Sequence, residues 1–429
     1  MPGQHDHHVV IVGGGFAGLW ATRALRDAPV CVTLIDRANH HLFQPLLYQV
    51  ATAGLSSPDI AAPLRHILRR QANVEVLMAD VERIDTALRR VHLHDGGTIG
   101  YDTLLLATGV THTYFGHDEW AAFAPGLKTL DDALHLRRRL LLAFERAEAE
   151  DDPQRRAAWL SFAIVGGGPT GVELAGTLAE ISRHTLKREF RHIDPAAARV
   201  RLIEAGPRVL PGFPESLSAK ARAQLEHLGV EVLTGKPVDE ISADGYRLAG
   251  AFEPARTVVW AAGVAASPLA QSLGVPLDRA GRVPVRPDLS APDHAEIFIA
   301  GDLATLTQDG KLLPGVAPVA KQMGRYVGQT IRARLAGKTS TPFRYHDYGN
   351  LATIGRMAAV VDLRGLHLSG LIAWWFWLAA HIFFLIGFRN RLAVLLDWFW
   401  SYWSYQRAAR IIVGVSSKPQ PRGEAEAED

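Results

Sequence analysis

The chain is short of cysteine. Its 429 residues include a single cysteine, Cys31, so the protein can form neither an internal disulfide nor a Cys-x-x-Cys redox pair. Enzymes that pass electrons through a dithiol are therefore excluded, as are enzymes that oxidise sulfide through paired cysteines. Cys31 begins an apolar run, and we interpret it as a small buried hydrophobic residue.

The sequence also lacks a charge excess, a secretion signal and a metal-ligand pattern. Its net charge is +2, which gives no electrostatic argument for a nucleic-acid partner. The N-terminus contains histidines but no apolar signal region, so export is not expected. His40 and His41 are adjacent, which is not the spacing of a helical ligand pair. We therefore predict no bound metal and no nucleic-acid partner.

Two glycine-rich turns of the same kind lie about 150 residues apart. The first glycine turn, residues 13–18, and the second glycine turn, residues 166–171, each place G-x-G-x-x-G between a β-branched run and a helical pattern. Such glycines permit a tight turn, close approach of a pyrophosphate and close packing of the helix on the strand. The residues predicted to contact nucleotide at these turns are Gly13, Gly15, Phe16, Ala17, Gly18, Gly166, Gly168, Pro169, Thr170 and Gly171.

An acidic residue ends the second strand of each unit. Asp36 is followed by Arg37, and we include both in the first site, while Glu204 holds the matching place in the second. Carboxylates at these places accept ribose hydroxyl groups, and Glu204 would repel the 2′-phosphate of NADPH. Two nucleotide sites in one chain predict a flavin and a nicotinamide held face to face, and hence electron transfer.

Three further strand ends carry turns placed to contact the nucleotides. The alternation of strands and helices predicts an α/β protein with two doubly wound, Rossmann-type domains, the second inserted into the first. We place the first domain at residues 1–115 and 266–345, and the second at residues 116–265. The turn residues are Thr108, Gly109, Ala262, Gly263, Gly301 and Asp302.

The C-terminal region is more apolar than the rest. Residues 368–388 are almost wholly apolar, and residues 389–391 separate them from a second segment at 392–413. Six of the ten tryptophans lie here, and tryptophan beside arginine is typical of a lipid headgroup boundary. We predict that residues 346–413 form a helical membrane-anchoring region. A membrane span and a protein interface, as in a homodimer, remain open as alternatives. The acidic residues 414–429 are predicted to be disordered.

Together these features resemble one family, the type II NADH:quinone oxidoreductases, which are single-chain FAD enzymes of respiratory membranes. The resemblance covers residues 9–413. It rests on both glycine turns, on HHLFQPLLYQVA at residues 40–51, on Ala300-Gly301-Asp302 and on GFRNR at residues 387–391. It implies that NADH gives hydride to non-covalently bound FAD, and that a membrane quinone takes the two electrons without proton pumping. It also implies a peripheral protein on the cytoplasmic face of the inner (plasma) membrane.

The resemblance extends to individual residues. Glu173 matches a glutamate that the family places near the nicotinamide, and Gln322 matches the second glutamine of an Ala-Gln-x-x-x-Gln pattern on the quinone side. Ala317 opens that pattern beside the flavin, whereas Pro318 replaces its first glutamine and has neither a side-chain amide nor an N–H. Two other functions remain open. One is a soluble reductase of ferredoxin or of another small acceptor, and the other is a redox sensor that binds both nucleotides without turnover.

Overall fold

The computed structural model describes residues 7–363, 365–386, 388–404, 407 and 409–413. The tail predicted to be disordered lies outside these residues. So do the side chains at 388–389 and 402–404. The α-helices of the described chain are Phe16–Ala24, Leu47–Ala51, Ser57–Ile60, Leu64–Leu68, Leu130–Glu148, Pro153–Trp159, Pro169–Glu180, Glu215–His227, Ala317–Leu335, Leu371–Phe384 and Phe388–Ser404.

Two distant parts of the chain build the first sheet. Five strands are parallel, and a short antiparallel strand lies at one edge. In spatial order the strands are Ser290–Ala291, His294–Ile299, Thr103–Leu106, His7–Val12, Val30–Asp36 and Val74–Met78. Because His294–Ile299 pairs with Thr103–Leu106, the chain returns to its first domain after the second sheet, as the sequence predicts.

The second sheet is built entirely from the intervening chain. Its four strands are parallel and largely buried, which accounts for their β-branched runs. In spatial order they are Val230–Thr234, Arg199–Glu204, Ser161–Val165 and Thr257–Trp260. The predicted architecture, with one Rossmann-type domain inserted into another, is confirmed.

A two-stranded ladder joins the two domains next to their nucleotide turns. Val110–His112 pairs antiparallel with Val264–Ala266. The first of these strands directly follows Gly109, and the second directly follows Gly263. The pairing therefore holds together the carboxyl edges of the two sheets, where both glycine turns lie.

Smaller sheets and hairpins complete the two domains. None of them carries a predicted site residue. Their strands are His40–Leu42 with Ala61–Pro63; Val81–Asp85, Arg90–Leu93 and Thr98–Gly100; Val238–Ile241, Gly245–Leu248 and Ala251–Pro254; Val283–Pro284 with Ala304–Thr305; and Thr307–Gln308 with Lys311–Leu312.

The C-terminal region begins with a sheet that the sequence analysis did not predict. Its antiparallel strands are Asn350–Gly355, Ala358–Leu363 and Leu366–Ser369. Residues 368 and 369, which we had placed in an apolar helix, therefore belong to a strand. Gly370 follows with a φ of +72° and turns the chain into helix Leu371–Phe384. The region is thus a sheet followed by two helices rather than helical throughout.

The break between the two C-terminal helices falls earlier than predicted. Residues 389–391 lie in the first turn of helix Phe388–Ser404 and do not separate the helices. The Arg391 side chain donates to the carbonyl oxygens of Phe383 and Leu385, both at 2.8 Å. These bonds satisfy carbonyl groups at the end of helix Leu371–Phe384, which has 14 residues. No helix among the described residues is both long enough and apolar enough to cross a membrane.

The helix after the second glycine turn ends at Glu180 and continues only as a single π-helical turn to Thr185. One smaller expectation also needs correction. Cys31 is half-buried rather than fully buried. It lies on strand Val30–Asp36, opposite His8 of the neighbouring strand.

Candidate active site

The carboxylate of Asp36 fixes the first glycine turn. The Gly14 N–H donates to Asp36 Oδ2 at 2.5 Å, and the Ala38 N–H donates to Oδ1 at 2.7 Å. Gly13 has a φ of +106°, and a Cβ at this residue would overlap the carbonyl oxygen of Ala107. The bonds to Asp36 and the close contact at Gly13 therefore fix the backbone conformation of the turn at the carboxyl edge of the first sheet.

The space beside this turn fits FAD. A Cβ at Gly15 would meet no heavy atom within 4 Å, so the backbone there is open to a ligand. Helix Phe16–Ala24 begins without a side-chain cap, which leaves its first N–H groups available to phosphate oxygens. The buried Thr108 hydroxyl has no hydrogen-bond partner among the described residues. A buried hydroxyl without a protein partner leaves a hydrogen bond that a bound cofactor or water can complete.

The second glycine turn repeats the first almost bond for bond. The Gly167 N–H donates to Glu204 Oε2 at 2.6 Å, and the Gly206 N–H donates to Oε1 at 2.6 Å. Gly166 has a φ of +114°, and Gly168, like Gly15, has no heavy atom within 4 Å of an added Cβ. Helix Pro169–Glu180 starts with proline, whose missing N–H costs nothing at this position. The same kind of ligand, a dinucleotide, fits both turns.

Asp302 lies in the first domain at a site where burial raises the pKa of its carboxyl group. Asp302 does not cap helix Ala317–Leu335, which has no side-chain cap. The charge of Lys128 partly offsets the rise in the pKa of Asp302, and burial lowers the pKa of Lys128 itself. The sequence analysis missed Lys128, because no motif marks it and it falls within residues assigned to the NADH-binding domain.

Glu173 is buried beneath the second turn. It is the fifth residue of helix Pro169–Glu180 and lies beyond the first turn. Burial raises the pKa of its carboxyl group well above the usual range. Glu173 Oε1 accepts a long hydrogen bond, 3.5 Å, from the N–H of Thr353 in the C-terminal sheet. Thr353 was not predicted, since that sheet was not predicted.

Gln322 has a structural role in this conformation. Its Nε2 donates to the carbonyl oxygen of His346 at 2.9 Å, and its Oε1 accepts from the N–H of His346 at 2.9 Å. Both halves of the amide thus bind one backbone residue, and a quinone contact for Gln322 stays a prediction. Ala317 and Pro318 open helix Ala317–Leu335, where a proline fits the first turn.

An aromatic layer connects the C-terminal helices to the segment at residues 40–51. Trp398 Nε1 donates to Gln49 Oε1 at 2.7 Å, and Gln49 Nε2 donates to the Tyr48 hydroxyl at 2.9 Å. The rings of Trp377 and His381 lie 4.2 Å apart, and burial lowers the pKa of His381 to about 4. His381 is therefore a packed, neutral histidine.

The remaining predicted residues lie on the two turns or on the strand ends that face them. Arg37 is exposed beside Asp36, and Gly301, with a φ of +77°, packs against Ala17. No group of metal-ligating side chains is found within the described residues. The other predicted residues on these turns and strand ends are Phe16, Gly18, Gly109, Thr170, Gly171, Ala262 and Gly263.

Comparisons with known proteins agree with this geometry. Residues 7–324 match the family model described as pyridine nucleotide-disulphide oxidoreductase, and residues 348–403 match the NDH2 C-terminal domain. The chain is 45% identical to a type II NADH:quinone oxidoreductase of Mycobacterium tuberculosis, over 98% of this chain and 94% of that protein. It is 30% identical to a demethylphylloquinone reductase of Synechocystis, over 91% of this chain and 95% of that protein.

The chain belongs to the type II NADH:quinone oxidoreductases. Among solved structures, NDH2 from Plasmodium falciparum in complex with NADH matches with a TM-score of 0.87 at 19% identity, over 96% of this chain and 100% of that one. A sulfide:quinone oxidoreductase from Aquifex aeolicus matches with a TM-score of 0.73 at 19% identity, over 90% and 92%. At such low identity these two matches show the fold alone.

This type II NADH:quinone oxidoreductase uses FAD, oxidises NADH and reduces a quinone without pumping protons. The predictions of family, cofactor and reaction are therefore confirmed. The two alternatives, a reductase of a small soluble acceptor and a sensor without turnover, are set aside. The roles of individual residues, the domain boundaries and the membrane contact stay predictions.

Proposed function

We propose that NADH binds along the second glycine turn with its nicotinamide directed towards the first, where FAD binds. The observation that carries this proposal is the ladder between Val110–His112 and Val264–Ala266. It joins the two strand ends that follow Gly109 and Gly263, so two matching dinucleotide sites share one cleft. When bound, FAD supplies a ring that takes hydride from NADH and passes two electrons to a quinone.

Residues of the chain position NADH and FAD for this hydride transfer. Glu204 accepts the adenosine ribose hydroxyls of NADH, and Asp36 has the same function for FAD. Asp302 and Lys128 hold the ribityl side of the flavin site, where their charges compensate each other. Burial raises the pKa of Glu173 well above its usual range and so favours the protonated carboxyl group, which orients the nicotinamide carboxamide by hydrogen bonding.

The quinone enters from a membrane surface bound by the C-terminal helices. Their outward side carries large apolar side chains, of which Ile372 is 69% exposed and Phe399 is 67% exposed. Apolar patches of this kind mark membrane or protein contacts. We call this patch the apolar face. It consists of Leu371, Ile372, Trp375, Phe376, Phe383, Leu392, Leu395, Leu396, Phe399 and Trp400.

The inward side of the same helices supports a short path from membrane to flavin. Trp377 and Trp398 are almost fully buried, and Trp398 bonds to Gln49 in the segment at residues 40–51. This segment reaches the first glycine turn, where His41 Nδ1 lies 3.0 Å from the carbonyl oxygen of Gly14. A quinone that leaves the bilayer at the apolar face thus reaches the flavin side of the cleft. We place the protein on the cytoplasmic face of the membrane, since NADH is available there, and we treat a homodimer through the apolar face as the competing model.

The reaction is tested by mixing the purified protein with NADH and then with a quinone analogue. NADH should bleach the absorbance of bound flavin, and the quinone should restore it within one turnover. Denaturation should release free FAD. Flavin that remains with the precipitated chain, or FMN in place of FAD, would contradict the cofactor assignment. Glu173→Ala should slow bleaching and leave reoxidation unchanged, which separates the nicotinamide side of the cleft from the quinone side.

The membrane contact is tested with point variants. Removal of the C-terminal helices is unsuitable, because Trp377 and Val394 are core residues. We expect the double variant Ile372→Ser, Phe399→Ser to bind phospholipid vesicles more weakly by at least about 100-fold, as each buried side chain contributes roughly 1.5–3 kcal/mol. Turnover with a long-tailed quinone should fall, and turnover with a short-chain quinone should not.

The matched control is Leu88→Ser, Phe252→Ser, which removes two exposed apolar side chains from other surfaces. It should sediment with vesicles like the wild type. Equal sedimentation of both double variants would contradict the membrane contact. A shift from dimer to monomer in the first variant alone, without loss of vesicle binding, would assign the apolar face to a homodimer.

A further inference from the structure

One exposed aromatic side chain stands beside the ladder that joins the two domains. Phe115 follows strand Val110–His112 and is 66% exposed, although phenylalanine is among the residues most often buried. Its ring packs against the backbone of the second domain, since a Cβ at Gly263 would overlap it. Val264, the next residue, is also exposed. Phe115 therefore adds an apolar surface to the strand end that faces the second glycine turn.

The backbone at Phe115 has a conformation that disfavours phenylalanine. Phe115 has a φ of +54° and Gly116 a φ of +94°, and the N–H of His117 donates to the carbonyl oxygen of Tyr114 at 3.1 Å. This is the pattern of a type I′ turn, whose two central residues are usually glycine, asparagine or aspartate. A branched aromatic side chain costs energy there, and an exposed ring regains little of it by packing. Strained residues of this kind cluster at ligand sites.

Aromatic packing beneath the turn fixes its position on the second domain. The ring of Tyr114 is stacked on that of Trp260, with 5.1 Å between their centres, and the Tyr114 hydroxyl donates to the carbonyl oxygen of Ala124 at 2.9 Å. Trp260 Nε1 donates to the carbonyl oxygen of Thr113, also at 2.9 Å. Both Tyr114 and Trp260 are buried. The exposed ring of Phe115 is therefore presented from a fixed base.

The order of the second sheet places Phe115 on the nicotinamide side of the second glycine turn. Strand Ser161–Val165, which leads into this turn, lies between strands Arg199–Glu204 and Thr257–Trp260. Glu204, the acid for the adenosine ribose, is on one side of the turn. Phe115 contacts the chain that leaves strand Thr257–Trp260, on the other side. A dinucleotide that crosses the turn from Glu204 therefore directs its nicotinamide half towards Phe115 and the ladder.

We propose that Phe115 is a substrate-positioning residue whose ring packs against the nicotinamide ring of NADH. The nicotinamide ring of NADH is uncharged and has apolar faces, so it is suited to contact with an aromatic side chain. The proposal rests on the proposed function in one respect, namely that NADH lies along the second turn with its nicotinamide directed towards the first. Phe115 then selects the complete dinucleotide over fragments that lack nicotinamide, which explains an unfavourable residue at this turn.

The test measures binding to the FAD-loaded protein by calorimetry with two ligands. Tetrahydro-NAD is an analogue of NADH whose ring is uncharged and gives no hydride, and ADP-ribose lacks the ring. Phe115→Asn should bind tetrahydro-NAD about tenfold more weakly and should bind ADP-ribose like the wild type. Phe115→Tyr keeps the aromatic ring and should bind both ligands like the wild type. Thermal release of FAD from Phe115→Asn should need a higher temperature, because asparagine tolerates a positive φ.

The matched control is Met357→Asn. Met357 is also a large apolar residue with a positive φ, +58°, and it is 50% exposed. It lies in the hairpin between strands Asn350–Gly355 and Ala358–Leu363 of the C-terminal sheet. Met357→Asn should raise the temperature of FAD release in the same way and leave the binding of both ligands unchanged. This control separates relief of backbone strain from loss of a substrate contact.

Unchanged binding of tetrahydro-NAD by Phe115→Asn would overturn the proposal. Equal weakening of both ligands, together with FAD release at a lower temperature, would overturn it too and would assign Phe115 a structural role. Glu204→Ala separates this failure from failure of the proposed function, because both ligands contain the adenosine ribose and should be weakened equally. If Glu204→Ala binds both ligands like the wild type, the second turn does not bind NADH and both proposals fail. If it weakens both, a null result for Phe115→Asn rejects the role of Phe115 alone.

Discussion

The helix after the first glycine turn packs on helix Ala317–Leu335, whereas the helix after the second packs on the C-terminal sheet. A Cβ at Gly324 would overlap the carbonyl oxygen of Ala17, and a Cβ at Gly176 would overlap that of Ile354. Both contacts are thus as close as backbone allows. They differ in origin, because Gly324 belongs to the same domain as the first turn, whereas Ile354 belongs to the C-terminal region.

This difference gives two identical turns different chemistry. The helix after the first turn packs on a helix of the same domain, which suits a cofactor that stays bound. The second turn is completed by the C-terminal sheet, whose Thr353 lies over the buried Glu173. The substrate site therefore gains a buried carboxyl group of raised pKa, and it gains this group from packing rather than from the turn itself.

The largest expected effect comes from matched substitutions of the first glycine in each turn. Gly13→Ala and Gly166→Ala each place a side chain at a φ above +100° and against backbone. The strain and overlap should cost roughly 3 kcal/mol or more, equivalent to about 100-fold in affinity. Gly13→Ala should purify without FAD. Gly166→Ala should purify yellow, but NADH should bleach its flavin about 100-fold more slowly.

The absorbance ratio of flavin to protein checks the first outcome, and stopped-flow bleaching checks the second. Gly310→Ala is the control for a left-handed glycine with open space around it, outside either turn. It should retain both FAD and NADH reduction. Loss of FAD from Gly166→Ala and not from Gly13→Ala would reverse the assignment of the two sites.

The two glycine turns could be predicted from the sequence because the constraints on each turn are local. Each needs glycine at fixed places and a carboxylate at the end of the next strand, and Asp36 and Glu204 make equivalent bonds in the structure. The parallel pairing of the strands followed from the same units, since parallel strands need crossover helices. The fold could therefore be predicted for most of residues 7–335.

The sequence was insufficient where distant segments meet. Lys128 approaches Asp302 from 174 positions away, and Thr353 approaches Glu173 from 180 positions away. No periodicity encodes such contacts. The C-terminal sheet was missed because its short strands precede a strongly apolar run, which we read as one long helix. The role of Gln322 in binding the backbone of His346 depends on that same unpredicted region.

A second comparison of the turns uses the acidic residue that binds each of them, Asp36 in the first and Glu204 in the second. Asp36→Ala and Glu204→Ala each remove a carboxylate that accepts two backbone N–H bonds. Loss of a charge-assisted ribose bond costs roughly 2 kcal/mol, so Glu204→Ala should lower the preference for NADH over NADPH about 30-fold. Asp36→Ala should lose FAD more readily and leave the nucleotide preference unchanged. The measurement is kcat/KM with both nucleotides. Equal use of NADH and NADPH by the wild type would contradict the role of Glu204.

The neutral carboxyl group of Glu173 gives a smaller effect with a defined pH dependence. Its pKa is raised by burial, so its contribution to stability is fully present below the ordinary glutamate pKa of about 4.3 and is lost as the pH rises through the raised pKa. Glu173→Gln resembles the protonated group and should gain stability relative to the wild type as the pH rises. Thermal release of FAD between acid and neutral pH measures this.

Glu173→Gln should also bleach its flavin with NADH at nearly the wild-type rate. Glu173→Ala should be about fivefold slower, the equivalent of one hydrogen bond of about 1 kcal/mol. Thermal release curves that stay parallel for Glu173→Gln and the wild type at every pH would show that the carboxyl group is ionised in the folded protein. An equal loss of rate in both variants would show that the reaction depends on the negative charge of Glu173 rather than on its hydrogen bond.

The smallest effect is expected at Cys31, whose counterpart in the second domain is Arg199. Each residue lies five positions before the acid of its strand, and each pairs with the start of the central strand, opposite His8 and Ser161. Five strand residues span about 16 Å, so both side chains are remote from the turns. The second domain has an exposed, ion-paired arginine there, and its turn is unchanged.

Cys31→Ala should therefore keep FAD, and its turnover with NADH and quinone should stay within about twofold of wild type. Loss of turnover in a folded, FAD-loaded Cys31→Ala protein would require a thiol in the reaction and would overturn direct transfer from NADH through FAD to quinone.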